Sequence, residues 1–315
     1  MSLGKTISLY ALRLVVVLFF VSLGSFLLVR ALPGDPAKTL GNFGTPAQIA
    51  QIRHEIGTDK PWYEQYRTWL GNLVQGDFGR DYALRRPVAD IVSESLPQSI
   101  LLMIYAQVLT LLVSVPLAIF AAYRAGGLAD KTINFLAFGF LALPVFVLSF
   151  YLILIFAVNL EWLPSQGYVP ISDGIVDHVK SMVLPTLALA LGQIAIYMRL
   201  LRSDLIATLQ ENFITVARAK GISDRRTLFR HALRPSSLTL LTVAGVNVGA
   251  LIGGTVLVDY IFQLNGFGFQ INAAISSQQY VMMQSLIVIL AVFYVLLNFV
   301  VDVLYAVLDP RVRDA

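Results

Sequence analysis

The chain has 315 residues, of which 57% are hydrophobic and only 13% are charged. Soluble domains carry about 45–50% apolar and about 25% charged residues, so this composition predicts a membrane protein. The net charge of +4 does not indicate a nucleic-acid partner, because the basic residues are distributed loop by loop, as membrane topology requires. Since the sequence has no cysteine, a disulfide framework and any thiolate nucleophile or metal ligand are excluded.

Six apolar windows of membrane-spanning length follow one another, which predicts an all-α polytopic membrane protein with six transmembrane helices. A helix needs about 20 apolar residues to cross the bilayer core. The predicted spans are residues 9–29, 99–122, 133–160, 182–201, 238–258 and 282–308. We interpret the first as a retained span rather than a cleaved signal peptide, because its apolar run is long and the upstream position of a cleavage site lacks a small residue.

Basic residues concentrate in alternate connections between these spans. Residues 199–234 contain eight of them, whereas residues 161–181 contain one and residues 259–281 contain none. Since cytoplasmic loops carry an excess of Lys and Arg, both termini are expected in the cytoplasm. The predicted organisation is the N-terminal end with the first span (1–30), an external helical loop (31–95) and a core membrane domain (96–315).

The external loop carries helix signals of its own. Thr45 precedes Pro46, which combines a cap residue with a favourable first helical residue. Apolar residues then recur on one helical face from Trp62 through Trp69 to Leu73. The sequence therefore predicts a small helical cap, whose aromatic face either lies at the outer membrane interface or contacts an external protein.

Small and polar residues inside the spans are candidates for packing or function. Gly245, Gly249 and Gly253 repeat every four residues, so they share one helix face that a neighbouring backbone can approach closely. Asn298 and Asp302 are polar residues of the last span, and Asp302 is interpreted either as a packing or interfacial residue or as a gating residue.

Prolines interrupt three of the apolar runs, at Pro116, Pro144 and Pro185, and allow a kink at each position. The histidines are all predicted to lie in loops: His54, His178 and His231.

Residues 211–235 form a strongly basic segment between the fourth and fifth spans. The basic residues are Arg218, Lys220, Arg225, Arg226, Arg230 and Arg234. Apolar residues three or four apart predict an amphipathic helix over residues 204–220, which Gly221 ends. The residues of this apolar stripe are Ile206, Leu209, Phe213, Val216 and Ala217. Ser223 or Asp224 can cap a second helix, and Pro235 is expected to end that helix before the fifth span.

This segment resembles the transmembrane subunits of binding-protein-dependent ABC importers. Ala217, Gly221 and Leu233 match the second alanine, the glycine and the leucine of the cytoplasmic-loop motif of that family, whereas Thr215 and Val216 replace its acidic residue and first alanine. The variant TVARAKG followed by HALRPS is similar to the B-type subunit of the dipeptide, oligopeptide and nickel permease branch. Further similar motifs are LPGDP (32–36), GDFGRDY (76–82), IFQLNGFG (261–268) and LDPRVR (308–313).

The resemblance implies a type I ABC importer fold in a bacterial cytoplasmic (inner) membrane. It implies four kinds of partner: a C-type permease subunit, two ATP-binding subunits or domains, an external solute-binding protein and a peptide substrate. No cofactor is expected on this chain; ATP and Mg²⁺ belong to the partners, since the sequence has no GxxxxGK[ST] phosphate loop.

The resemblance also implies roles for particular residues. The expected ATPase-coupling residues are Thr215, Val216, Ala217, Arg218, Ala219, Lys220, Gly221, Arg225, Arg226 and Leu233. The expected contacts of the solute-binding protein are Trp62, Trp69, Asp259 and Gly266.

Other functions are less consistent with the residues. An ion-coupled secondary transporter needs buried acids or histidines near the middle of the membrane, and Asp302 is the single candidate. An intramembrane hydrolase needs a serine with a histidine base, or a metal site, and the sequence has no HExxH or GxSxG pattern. Within the importer interpretation, nickel chelates and glutathione-like compounds are the alternatives to peptide as cargo.

Overall fold

The computed structural model describes residues 3–31, 35, 37–38, 45–55, 57–81 and 85–308, without the side chains of residues 3–14, 55 and 302–308. The helices are α1 (Leu3–Ala31), α2 (Pro46–Glu55), α3 (Trp62–Val74), α4 (Val88–Tyr123), α5 (Leu128–Ala142), α6 (Val145–Leu152), α7 (Ile175–Leu209), α8 (Asn212–Ala219), α9 (Asp224–Arg226), α10 (Leu233–Ile261), α11 (Phe267–Ser276) and α12 (Tyr280–Leu308). Two-residue strands β1 (Arg80–Asp81) and β2 (Arg86–Pro87) pair antiparallel before α4.

Widened or tightened helical turns connect some of these helices. A π-helical stretch, Ile153–Asn159, extends α6, and another, Thr227–Ala232, joins α9 to α10. A 3₁₀ turn, Ile171–Asp173, precedes α7.

Four helices in the described part of the chain are long and apolar enough to cross a membrane: Val88–Tyr123, Ile175–Leu209, Asp224–Ile261 and Tyr280–Val301. A fifth span results if Leu128–Ala142 and Val145–Asn159 count as one bent unit, and α1 carries a shorter apolar stretch, Val15–Ala31. Five of the six predicted spans each fall on one helix, and the third covers the bent pair. The all-α membrane fold is therefore confirmed.

The third predicted span is not one straight helix. Its two halves meet at 105°, with Leu143 and Pro144 in extended backbone between them. A proline disfavours the helical conformation of the residue before it, and its ring removes a backbone donor. The kink expected at Pro144 is thus a full break, whereas Pro116 and Pro185 lie inside the continuous helices α4 and α7.

The described chain forms two compact units. The first comprises Met1–Gln98 and Asn265–Leu296, and the second comprises Ser99–Leu264 and Leu297–Ala315. This division groups the residues that pack with one another. The division at residues 30 and 95, which follows membrane crossing, stays a prediction.

The core of the first unit is aromatic. Trp69 on α3 packs with Phe26 of α1 and Val288 of α12, and its indole Nε1 donates to Ser285 Oγ at 3.4 Å. The Tyr66 ring meets Phe26 edge-on, with centroids 5.2 Å apart. The two helices predicted for this loop are present, and α3 buries its apolar stripe at Trp69 but leaves Trp62 exposed. The external position of the loop stays a prediction.

An ion pair joins Asp35 to α2 in the same unit. Arg53 on α2 donates to the Asp35 carboxylate, which also accepts from the Ala37 amide at 3.0 Å. Partial burial alone would raise the pKa of Asp35, but these hydrogen bonds lower it below its ordinary value.

The core of the second unit surrounds α7. Tyr197, Met198, Leu201 and Leu205 of this helix are fully buried, and small side chains of α4 and α5 line the opposing faces. Alanine at such positions lets membrane helices approach closely and gain van der Waals contact. Because α7 leads directly into the basic segment, this packing fixes where that segment begins.

The glycine face of α10 makes close contacts at only part of the predicted positions. A Cβ atom built on Gly245 would collide with the Val301 side chain, and Gly249 is buried. At Gly253, by contrast, no described side chain lies within 4 Å of such a Cβ, whereas a Cβ built on the neighbouring Gly254 would lie only 3.0 Å from Leu189 Cδ2 of α7. At this end of the helix face, the close contact is therefore at Gly254 rather than at Gly253.

Candidate coupling site

The basic segment begins where α7 stops, at Leu209. Gln210 keeps helical backbone but Glu211 is extended (φ −69°, ψ 149°), and its carbonyl accepts from the Ile214 amide at 3.0 Å to start α8. The prediction of one helix over residues 204–220 is therefore wrong, since its first third belongs to α7. The apolar spacing continues across the break, and no glycine or proline marks it in the sequence.

Gly221 ends α8 as predicted. Its φ is +76°, and its amide donates to the Arg218 carbonyl at 2.9 Å, while the Ile222 amide reaches back to the Ala217 carbonyl at 3.2 Å. This left-handed turn satisfies carbonyls that the helix end would otherwise leave unpaired. No described atom lies within 4 Å of a Cβ built on Gly221, so the need for glycine here is conformational rather than steric.

The next helix begins at Asp224, after extended backbone at Ser223, whose carbonyl accepts from the Thr227 amide at 2.9 Å. The carboxylate of Asp224 also lies 3.5 Å from the Arg218 guanidinium, across the bend. This pair is exposed and contributes little to stability.

Pro235 does not end the second helix, contrary to the prediction. The helix continues from Asp224 to Ile261 as one span. Proline lacks a backbone donor and clashes with the carbonyl four residues earlier. The π-helical turn Thr227–Ala232 immediately before α10 widens the helix at that point, which accommodates the ring.

One face of the segment packs into the core of the second unit. Ile214 and Ala217 on α8 are buried, as are Leu228 and Ala232 in the π-helical turn. Ile214, Leu228 and Ala232 belong to one cluster with Leu205 of α7. The Ser236 hydroxyl additionally donates to Thr208 Oγ1 at 2.9 Å, which ties α10 to the end of α7.

The opposite face is exposed and combines apolar with basic side chains. Phe213, Val216 and Phe229 are 49%, 52% and 52% exposed. The basic residues of the segment are all exposed: Arg218, Lys220, Arg225, Arg226, Arg230 and Arg234. We call these nine residues the coupling surface. Large apolar side chains grouped among charges are typical of a protein contact.

The predicted coupling residues divide between the two faces. Thr215, Val216, Arg218, Ala219, Lys220, Gly221, Arg225 and Arg226 are exposed, Leu233 is partly buried, and Ala217 is buried. Ala217 therefore anchors α8 to its own chain. Phe229 was not among the predicted residues, although its position between Arg226 and Arg230 is a signal of an exposed aromatic residue.

Three of the four predicted contacts of an external protein are buried. Trp69 is a core residue of the first unit, and Gly266 is buried at the start of α11. Asp259 has no exposed surface and accepts a hydrogen bond from Ser99 Oγ at 2.5 Å. Only Trp62 among the four is exposed. Buried carboxylates require such partners, and a partner 160 positions away is invisible to local spacing.

The histidines lie in helical turns rather than loops. His178 is buried in the first turn of α7, where its Nδ1 lies 2.6 Å from the Val169 carbonyl and its Nε2 lies 3.0 Å from the Tyr105 hydroxyl. Both ring nitrogens are thus engaged, and the residue fastens the connection before α7. His54 lies in α2 and His231 in the π-helical turn before α10.

The two polar residues predicted in the last span both lie on α12. Asn298 is partly buried and has an interaction partner. Asp302 lies on α12, but its side chain is outside the described residues, as are most of the LPGDP and LDPRVR motifs.

Two family models match the chain. The model described as "Binding-protein-dependent transport system inner membrane component" matches residues 114–314, and the N-terminal model of the same kind of component matches residues 7–103.

Relatives match over nearly the whole length of both chains. A probable peptide ABC transporter permease protein of Sinorhizobium fredii is 35% identical over 95% of this chain and 96% of the relative. An oligopeptide transport system permease protein of Bacillus subtilis is 34% identical over 94% and 95%. A glutathione transport system permease protein of Shigella flexneri is 33% identical over 96% of each chain.

A solved structure supports the fold. A chain of the MetNI methionine ABC transporter, in an inward-facing conformation, superposes with a TM-score of 0.55 at 15% identity, covering 70% of this chain and 96% of that chain. With both family models and the full-length relatives, this places the chain in the family of binding-protein-dependent inner membrane components, as a permease subunit of an ABC importer.

Proposed function

We propose that the chain is the B-type permease subunit of an ATP-driven importer and forms half of the translocation path for short peptides. Relatives named for peptide and oligopeptide transport support this cargo. A C-type permease supplies the other half of the path, and an external solute-binding protein delivers the peptide. Family membership supports an assembly of this general kind.

The observation that carries the proposal is the coupling surface and its attachment. The surface stands on α8 and on the helix that starts at Asp224, and both pack on the end of α7. A partner that moves the surface therefore also moves α7 and α10. We infer that an ATP-binding subunit binds this surface, so that closure of its nucleotide sites is transmitted to the fourth and fifth spans.

Apolar contacts dominate the expected docking energy. Full burial of a Val or Phe side chain stabilises by about 1.5–3 kcal/mol. Phe213, Val216 and Phe229 are already about half covered by their own chain, so docking adds roughly 1 kcal/mol for each. The surrounding basic residues accelerate association with an acidic partner more than they strengthen the final complex.

The proposed function includes an energy source and an orientation in the membrane. ATP and Mg²⁺ bind to the partner subunits, and this chain carries out no chemical step. The coupling surface lies on the cytoplasmic side, both termini are cytoplasmic, and the protein resides in a bacterial inner membrane. The excess of basic residues around the surface supports this orientation.

Glutathione-like compounds are the alternative cargo, since a full-length relative is named for glutathione transport. Uptake of labelled dipeptides, longer peptides and glutathione by cells that express the complete transport system decides between them. Accumulation of glutathione alone would replace the peptide proposal by the alternative.

The docking proposal is tested with the assembled transporter in liposomes. Phe213→Ala together with Phe229→Ala removes roughly 2 kcal/mol of docking energy, which weakens retention of the ATP-binding subunits about thirtyfold. ATP-dependent uptake is expected to fall in parallel. Phe20→Ala is the control, because Phe20 is 66% exposed on α1 but lies outside the coupling surface. Full retention and uptake in the double variant would show that the partner binds elsewhere.

A further inference from the structure

A cavity of about 780 Å³ lies between α5 and α7 within the second unit. Lys131, Arg199 and Arg202 line it with positive charge. Asp130 is the acidic residue in the lining. We call this cavity the α5–α7 pocket.

Asp130 is already fully engaged by its own chain. Its two carboxylate oxygens accept from Nε and Nη2 of Arg202 at 2.5 and 2.6 Å, and also from the Gly126 amide at 2.9 Å and Asn134 Nδ2 at 2.8 Å. Asp130 is only 3% exposed. The Asp130–Arg202 pair therefore builds the pocket wall but does not neutralise the remaining cations.

Lys131 and Arg199 have no carboxylate partner among the described residues. The Arg199 guanidinium lies 4.0 Å from the Phe138 ring centroid, a cation–π contact on the apolar side of the pocket. Leu141 and Leu200 extend that apolar side. Lys131 is exposed in the first turn of α5, and Arg199 lies in the last third of α7. Basic side chains without a carboxylate partner, beside an apolar lining, suit an anionic group with an apolar extension.

The pocket lies at the same end of the second unit as the coupling surface. Its lining includes Arg199, Arg202 and Ser203 of α7, the helix that ends at Leu209 directly before α8. On the orientation proposed above, this end faces the cytoplasmic leaflet, whose anionic lipids bind in basic pockets between membrane helices.

We propose that the α5–α7 pocket binds the headgroup phosphate of an anionic phospholipid of the cytoplasmic leaflet. Lys131 and Arg199 contact the phosphate, and Phe138 and Leu141 contact the start of an acyl chain. Arg202, held by Asp130, keeps the phosphate side of the pocket in place. The inference rests on the proposed orientation, because the lipid must reach the pocket from the cytoplasmic leaflet.

Native mass spectrometry of the assembled transporter tests the proposal directly. Retention of phosphatidylglycerol is compared with that of phosphatidylcholine and of inorganic phosphate. Arg199→Gln is expected to weaken phosphatidylglycerol retention about fivefold, and the double change with Lys131→Gln about twenty-five-fold. Arg199→Lys restores most of the binding.

Lys180→Gln is the matched control. It removes one exposed positive charge at the other end of the same helix, and it should leave retention unchanged. Equal retention by Arg199→Gln and the parent transporter refutes the proposal. So does equal competition by inorganic phosphate, which would make the pocket a free-anion site, or a crosslink from position 199 to another subunit.

A labelling experiment separates this inference from the proposed function. The sequence has no cysteine, so Lys131→Cys provides a single reactive thiol. Labelling by an impermeant reagent from outside intact cells would overturn both the orientation and the lipid proposal. Protection from outside, combined with unchanged phosphatidylglycerol retention in Arg199→Gln, removes the lipid site and leaves the import function intact.

Discussion

Replacing Gly221 with alanine tests whether the coupling surface depends on the left-handed turn after α8. The φ of this residue is +76°, and no described atom within 4 Å would obstruct a Cβ. The cost is therefore conformational alone, about 1–2 kcal/mol for a residue with a side chain. Gly221→Asn is expected to cost less, because asparagine tolerates this conformation better. Local opening of α8 should increase about fivefold to thirtyfold for alanine.

Amide hydrogen exchange of residues 212–220 in the assembled transporter measures this opening. Uptake per ATP hydrolysed is measured in parallel, and it should decline in the order glycine, asparagine, alanine. Gly192→Ala is the control, because Gly192 lies inside α7 with no described atom within 4 Å of a built Cβ. That change should leave α8 unaffected. Identical exchange in the alanine, asparagine and parent proteins would refute the role assigned to the turn.

The remaining predictions concern packing of the second unit. Gly245→Val is expected to destabilise the protein by about 1–3 kcal/mol through collision with Val301, and Val301→Ala should restore much of the loss. Gly253→Val should be tolerated, since no described atom lies within 4 Å there. Asp130→Asn leaves Arg202 without its carboxylate and should cost about 3 kcal/mol. Thermal unfolding in detergent measures all of these, and a stable Asp130→Asn variant would contradict the assigned role of that pair.

Hydrophobicity predicted the spans well, because burial in lipid demands long apolar runs whatever the tertiary contacts. Helix ends could also be predicted where the backbone conformation requires a particular residue type. Gly221 adopts the left-handed conformation expected of it, and Ser223 takes extended backbone before the next helix. These signals depend only on neighbouring residues, so they can be predicted from the sequence alone.

Local sequence signals gave wrong predictions where the surrounding structure compensates for the residue concerned. Pro235 looks like a helix stop, yet the widened turn Thr227–Ala232 absorbs the ring and the helix continues to Ile261. Asp259 looks like a loop carboxylate, yet it is buried because Ser99 supplies a donor. In each case the deciding partner or distortion cannot be derived from residue spacing.

The coupling surface shows why exposure is harder to predict than helicity. Leu209, Phe213 and Val216 have the spacing of a buried helical stripe, but the break at Glu211 rotates α8 relative to α7. Ile214 then faces the core, and Phe213 and Val216 face outward. An apolar stripe that a chain does not bury for itself is available to a partner. Phe213 and Val216 of this stripe are therefore exposed, and they give the best support for the proposed docking of an ATP-binding subunit.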